Sequence, residues 1–273
     1  MATFFQVITD AINDIAEYGY ESDERLTYWI EEIRRAATTD MVSEEALTEQ
    51  LRRVLGATYQ RLVEDGGILH RHSGVDRYTL QRIAPHLHAE LNRRILASAD
   101  LIKLNRAQAI NDTIQRFQGW ATSVPRGGTN QVNRREEKRN IRKSLTSLPF
   151  RERRVIIDQG HKLSSAVSAI VAEDAGAIAA RWRSHWKQLG YDYREDHKER
   201  DQKVYAIRDS WAHQRRFMKP GMSGFTDEMT QPGEEVYCRC YYVYIYNLRD
   251  LPDNMLTGRG RDALAEARDR MTA

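Results

Sequence analysis

Only two cysteines occur in 273 residues, and they stand two positions apart, at Cys238 and Cys240. A disulfide-stapled extracellular scaffold needs half-cystines spread along the chain, so that class is excluded and a reducing compartment is expected. Long apolar runs are missing as well. No stretch approaches the roughly 18 consecutive apolar residues a membrane helix requires, and the opening MATFFQVITDAIND has neither a basic leader nor an unbroken apolar segment. No membrane association and no secretory targeting are expected. The sequence also lacks a P-loop, a G-x-S-x-G elbow, an H-E-x-x-H pair and any repeat of fixed period, which removes the commonest phosphoryl-transfer, serine-hydrolase and zinc-protease signatures.

What is present suits a globular chain of about two domains: 41% of residues are hydrophobic and 30% charged, enough apolar surface to bury a core. The net charge of +3 hides a strong asymmetry. Residues 1–60 carry twelve acidic groups against five arginines, whereas 126–154 carry ten basic groups against three glutamates. Such polarity predicts one region that meets a polyanion and another that meets something else.

The first 120 residues read as successive helices. Phe4, Ile8, Ala11, Ile15 and Tyr18 recur at helical spacing until Gly19, a residue suited to a left-handed C-cap. Ser22 with Asp23 and Glu24 forms an N-cap signal for the stripe Leu26, Trp29, Ile30, Ile33 and Ala37. Ser43 with Glu44 and Glu45 opens a third (Leu47, Leu51, Val54, Leu55, Tyr59, Leu62), closed by Gly66-Gly67. A short helix at 76–84 precedes a long one whose apolar face runs from Leu87 to Phe117. The 124–131 stretch, rich in Pro, Gly and Asn, marks a loop or domain boundary. Beyond it, 133–145 reads as a basic helix, and a long helix starting at Pro149 carries Val155, Leu163, Val167, Ile170, Ile178, Trp182 and Trp186.

From Gly190 the texture changes to denser Tyr, Pro and Gly. Val236, Cys238, Cys240, Tyr242, Tyr244 and Tyr246 alternate with Tyr237, Arg239, Tyr241, Val243 and Ile245, a strand apolar on both faces and therefore expected to be central or covered on both sides. A second strand is expected at 203–209, then a looped excursion over 212–233 and a helix at 260–271. The fold class expected is α+β: a predominantly helical N-terminal region of antiparallel helices, then a small C-terminal module with a short sheet. Its parts are a helical domain at 1–124, a basic segment with long linking helices at 125–189, the α+β module at 190–250 and a tail at 251–273.

Chemistry-bearing residues concentrate in that module. Cys238, Cys240 and His197 offer two thiolates and an imidazole, a donor set that zinc accepts. Zinc sites favour two to four residues between cysteines, whereas a C-x-C in a regular strand sets its residues roughly 6–7 Å apart, so chelation needs a bend. No fourth ligand is fixed; His185, Asp201 and His213 are the options. The alternative is a hydrogen-bonded ionic knot of Asp192, Arg194 and His197 that ties the loop to the sheet. The knot is the reading adopted, and no cofactor is expected, with zinc as the competing assignment. The clusters His70-Arg71-His72 and His86-Leu87-His88 have i,i+2 spacing, which separates side chains on a helix, and are read as solvated. In the basic segment, Arg134, Arg135, Lys138, Arg139, Arg142 and Lys143 could neutralise phosphates of double-stranded DNA without reading sequence. Interleaved aromatics for base stacking are absent there.

The ordered set Trp186, Asp192-x-Arg194-x-x-His197, Phe217, Pro220-Gly221 and Cys238-Arg239-Cys240 resembles the Mu F-like (MuF) domain of tailed-bacteriophage minor head proteins, over roughly the last third of the chain. Where many relatives carry an Arg-Thr-Glu element, this chain has Gln159-Gly160-His161. The resemblance implies a non-enzymatic virion protein of head morphogenesis, made in the host cytoplasm and placed in the head interior or at the portal vertex. It implies several copies per particle, the portal or major capsid protein as partner, and contact with packaged DNA. A head-to-tail adaptor subunit is the neighbouring alternative, and a metal-dependent nucleic-acid-processing enzyme using His197, Cys238 and Cys240 is the alternative from another class.

Overall fold

A computed structural model describes residues 3–131 and 133–272. About 65% of the chain is helical, with a small three-stranded antiparallel sheet in its C-terminal part. The expected class, a helical N-terminal region followed by a small α+β module, is the class observed.

The helices begin where the sequence places their caps. Helix α1 (Phe4–Tyr18) starts at Thr3, whose hydroxyl accepts from the Gln6 amide, and stops at Gly19, whose φ of 80° lies in the left-handed region. Helix α2 (Asp23–Thr39) starts at Ser22, whose hydroxyl accepts from the Arg25 amide. Helix α3 (Glu44–Tyr59) runs into a π-helical turn at Gln60–Glu64 and then a 3-10 turn at Gly67–Arg71. The short α4 (Arg77–Arg82) is capped by Asp76. Helix α5 (Ala84–Ala121) accommodates Pro85 in its first turn, where no intrahelical donor is lost. Helices α6 (Arg134–Thr146) and α7 (Leu148–Asp174) complete the helical part.

Two compact units divide the chain, and neither is a continuous stretch: unit 1 is 1–51 with 96–156, and unit 2 is 52–95 with 157–273. Helices α3, α5 and α7 are each long enough to contribute residues to both units. The core of unit 1 is apolar, built from Val7, Ile8, Ile12 and Ile15 of α1, Leu26 and Ile33 of α2, and Ile110, Ile114 and Phe117 of α5. Tyr18 of the α1 stripe and Val54 of the α3 stripe are exposed, and the Tyr18 ring lies beneath the Arg25 guanidinium. The 124–131 segment is a loop, one of the two options expected for it. Its Gly127 and Thr129 amides donate to the Tyr18 and Ala16 carbonyls at the end of α1. A Cβ on Gly128 would come within 2.3 Å of the Glu17 carbonyl oxygen.

In unit 2 the sheet order is β2-β1-β3, with β1 at Ala179–Arg183, β2 at Val204–Ala206 and β3 at Tyr241–Ile245. Ala180 lies opposite both Tyr205 and Tyr244. Two sequence expectations are corrected here. The helix begun near Pro149 ends at Asp174, and Ile178 and Trp182 belong to the strand region, because Gly176, at φ 70°, breaks the helix and long-range pairing recruits the following residues. The strand expected over 236–246 starts only at Tyr241, since Tyr237 has a φ of 60°. Of the two options expected for that strand, central or covered on both sides, the second is observed: β1 is central, and both faces of β3 are covered. Ile245 packs with Leu248, Met255 and Phe225, and Tyr242 and Tyr244 pack with Trp182, Cys238 and Cys240. Short helices α8 (Glu195–Glu199) and α9 (Trp211–Gln214) decorate the connections, and α10 (Gly258–Thr272) ends the chain.

Candidate metal centre

The connection from β1 to β2 carries α8, and α8 carries His197. The approach to β3 carries the two cysteines. A tight turn there folds the backbone: Gly233 has a φ of 87°, the Cys238 amide donates to the Glu235 carbonyl, and the left-handed Tyr237 donates its amide to Asp158 Oδ1 at 2.6 Å. This is the bend that C-x-C chelation requires. His197 Nδ1 lies 3.7 Å from Cys238 Sγ and 3.6 Å from Cys240 Sγ, and the three donor atoms lie within 4.8 Å of one another. All three residues are at most 3% exposed, so the donor atoms are closed off from bulk solvent.

The surroundings favour charge on one thiol and oppose it on the other. The Cys238 thiol is pulled down to about 6, first by its hydrogen bond with Cys240, against burial, with the Gly233 amide, 3.5 Å from its sulfur, as a further donor. Cys240 is pushed up, first by its hydrogen bond with Cys238, then by burial and by the charge of a neighbouring Cys238 thiolate. The Ser184 hydroxyl sits 3.8 Å from Cys240 Sγ. Trp182 meets the His197 ring edge-on at 5.3 Å. The other imidazole nitrogen, Nε2, is buried with no hydrogen-bond partner; Glu235 Oε1 lies 3.7 Å and Asp196 Oδ2 3.9 Å from it.

The expected ionic knot forms with a different membership. Arg194 donates to the Val236 carbonyl at 3.0 Å and pairs with Glu235 at 2.6 Å, so the loop is tied to the cysteine turn. Asp192 is exposed and takes no part; the carboxylate in the knot is Glu235. Arg239 covers the Tyr191 ring, and its amide donates to the Tyr191 hydroxyl. Of the three possible fourth ligands, Asp201 instead accepts from the Ser184 amide and the Trp186 indole. His185 lies beside Tyr241 and His213 beside Phe225; among the described residues the donor cluster consists of His197, Cys238 and Cys240.

The candidate DNA-contact residues stand on α6, with Arg134, Arg135, Arg139, Arg142 and Lys143 exposed and Lys138 half-buried, while Ile141 and Ser144 face inward. Arg142 also lies over the Phe5 ring of α1.

One histidine departs from its expected place. His72, expected to be solvated, is 1% exposed, with Nδ1 bonded to the Tyr246 hydroxyl, Nε2 to the Ser168 hydroxyl and its ring stacked on Tyr244. Its partners lie about a hundred or more residues away, so no local pattern announces them. His70, His86 and His88 are exposed as expected. No protein-family model, curated protein or solved structure matches this chain.

Proposed function

We propose that the chain is a structural, non-enzymatic minor head protein of a tailed bacteriophage, assembled in several copies at or near the portal vertex inside the capsid. The observation that carries this reading is the packing of α8 against the turn before β3. It joins Arg194 and His197 to Glu235, Val236, Cys238 and Cys240, the segments the resemblance to MuF domains requires to meet. Burial of both thiols favours a structural over a catalytic role for them. Among the described residues no helix is long and apolar enough to cross a membrane.

The surfaces of unit 1 suit such a place. Exposed Asp10, Glu17, Glu21, Asp23, Glu24 and Glu31 on or beside α1 and α2 offer an acidic face for a basic patch of a portal or coat subunit. The cations of α6 offer a sequence-independent surface for packaged double-stranded DNA. Quantitative mass spectrometry of tailed particles purified from a strain that encodes the chain tests the assignment. The chain is expected in the heads in several copies; its absence from the particles overturns the reading. Recovery in detached tails would favour the adaptor alternative.

A further inference from the structure

The donor geometry around His197 is that of a coordination sphere rather than of a hydrogen-bonded pair. Zinc bonds of about 2.3 Å to sulfur and 2.0–2.1 Å to nitrogen set the sulfur-to-nitrogen edge of a tetrahedron at about 3.5 Å. The two edges measured here are 3.6 and 3.7 Å. A neutral imidazole nitrogen has one lone pair, which can accept one S–H well. Two sulfurs placed almost equally far from the same nitrogen are what a shared ion produces.

Two further features point the same way. The Gly233 amide aims at Cys238 Sγ, a donor that supports a thiolate. On the far side of the ring, Nε2 is buried without a hydrogen-bond partner and faces the carboxylates of Glu235 and Asp196. A histidine that ligates through Nδ1 must carry its proton on Nε2, and metal-bound histidines ordinarily present that N–H to a carboxylate.

We infer that His197 Nδ1, Cys238 Sγ and Cys240 Sγ bind one zinc ion that clasps α8 to the turn before β3, with water or the Ser184 hydroxyl in the fourth position. Thiolates and imidazole select zinc over the hard cations magnesium and calcium. All three ligands are buried, so although two cysteines, one histidine and an open fourth position also occur in catalytic zinc sites, here the ion is closed off from bulk solvent and holds the module together.

Zinc binding and the virion assignment stand independently. A metal-free chain found in heads would remove only the zinc site, and a zinc-loaded chain absent from heads would remove only the assignment. The test is the metal content of the full-length protein, purified under reducing conditions and desalted, by inductively coupled plasma mass spectrometry. About one zinc per chain is expected, retained in His213→Asn and lost in His197→Asn and Cys240→Ser. Because those ligand variants can fail to fold, the unaltered protein is also stripped and reconstituted with cobalt(II), which is expected to give thiolate-to-cobalt charge-transfer absorption and tetrahedral d–d bands. Purified protein without zinc that also gives no charge-transfer band overturns the site. Zinc content that survives loss of Cys240 in a folded variant overturns it equally.

Discussion

The two units of this chain solve the problem of an interior in opposite ways. Unit 1 buries hydrocarbon stripes of α1, α2 and α5, Phe4 and Phe117 included, against one another, and it contains none of the eight histidines and neither cysteine. Unit 2 holds all of them, and its interior includes His72, His197, Cys238, Cys240, Tyr242 and Tyr244. Among the described residues, the buried side-chain atoms without a hydrogen-bond partner, Tyr59 Oη, Gln159 Oε1, Trp182 Nε1, His197 Nε2 and Tyr242 Oη, all belong to unit 2. So do the non-glycine residues at positive φ, Gln202, Arg216 and Tyr237. Buried polar groups and strained backbone persist only where the surroundings over-determine them, and they gather where a site is built. Unit 1 is thus organised by hydrophobic fit, and unit 2 by specific polar geometry.

The largest effect that separates the two is on packing. Trp182 is fully buried and touches both His197 and Tyr242 edge-on, so Trp182→Ala should cost about 3–5 kcal/mol in urea unfolding, whereas Ile12→Val in unit 1 should cost about 0.5–1.5 kcal/mol. Similar costs for the two would break the contrast.

A second, intermediate effect concerns acid. Burial, then the Arg71 and His70 charges, pulls His72 from 6.5 down to about 3. The unfolded chain therefore takes up a proton that the folded chain refuses. The stabilising contribution of neutral His72 is complete above about pH 6.5 and is lost as pH falls toward 3, at about 1.4 kcal/mol per pH unit. His161 and His185 are lowered by burial too and add in the same direction. His72→Gln should flatten the fall in stability between pH 6 and pH 4 relative to the parent; an unchanged slope would mean that His72 is not buried neutral.

The smallest effect on stability is expected at α6. Replacing Arg134, Arg135, Lys138 and Arg139 with glutamine should leave stability within about 0.5 kcal/mol, since these side chains are exposed or half-buried. The same variant should weaken DNA binding and lower the salt slope by about 0.9 for each phosphate it no longer neutralises, measured by fluorescence anisotropy across salt concentrations. An unchanged slope would remove the DNA surface from unit 1.

The same contrast decides what could be read from sequence. In unit 1, Ser22, Gly19 and the stripe of α1 act through neighbours within a few residues, and periodicity located them. In unit 2 alternation places Cys238, Cys240, Tyr242, Tyr244 and Tyr246 together, as in the structure, while Val236 of the same pattern is exposed; His197 beside the thiols is one of the two arrangements those residue types allow. What failed was non-local. The alanine-rich start of β1 has the composition of a helix and becomes a strand only by pairing with Val204–Ala206 and Tyr241–Ile245. His72 is drawn inside by Ser168 and Tyr246, and Glu235 replaces Asp192 in the ionic knot because the turn at Tyr237 brings it to Arg194.

The claim on which the rest stands is that α8 and the cysteine turn close over both thiols. Alkylation of the native full-length protein with iodoacetamide, followed by peptide mass spectrometry, tests it directly: Cys238 and Cys240 should both stay unmodified in the native state and both react after denaturation. Rapid native labelling of either one would contradict the account.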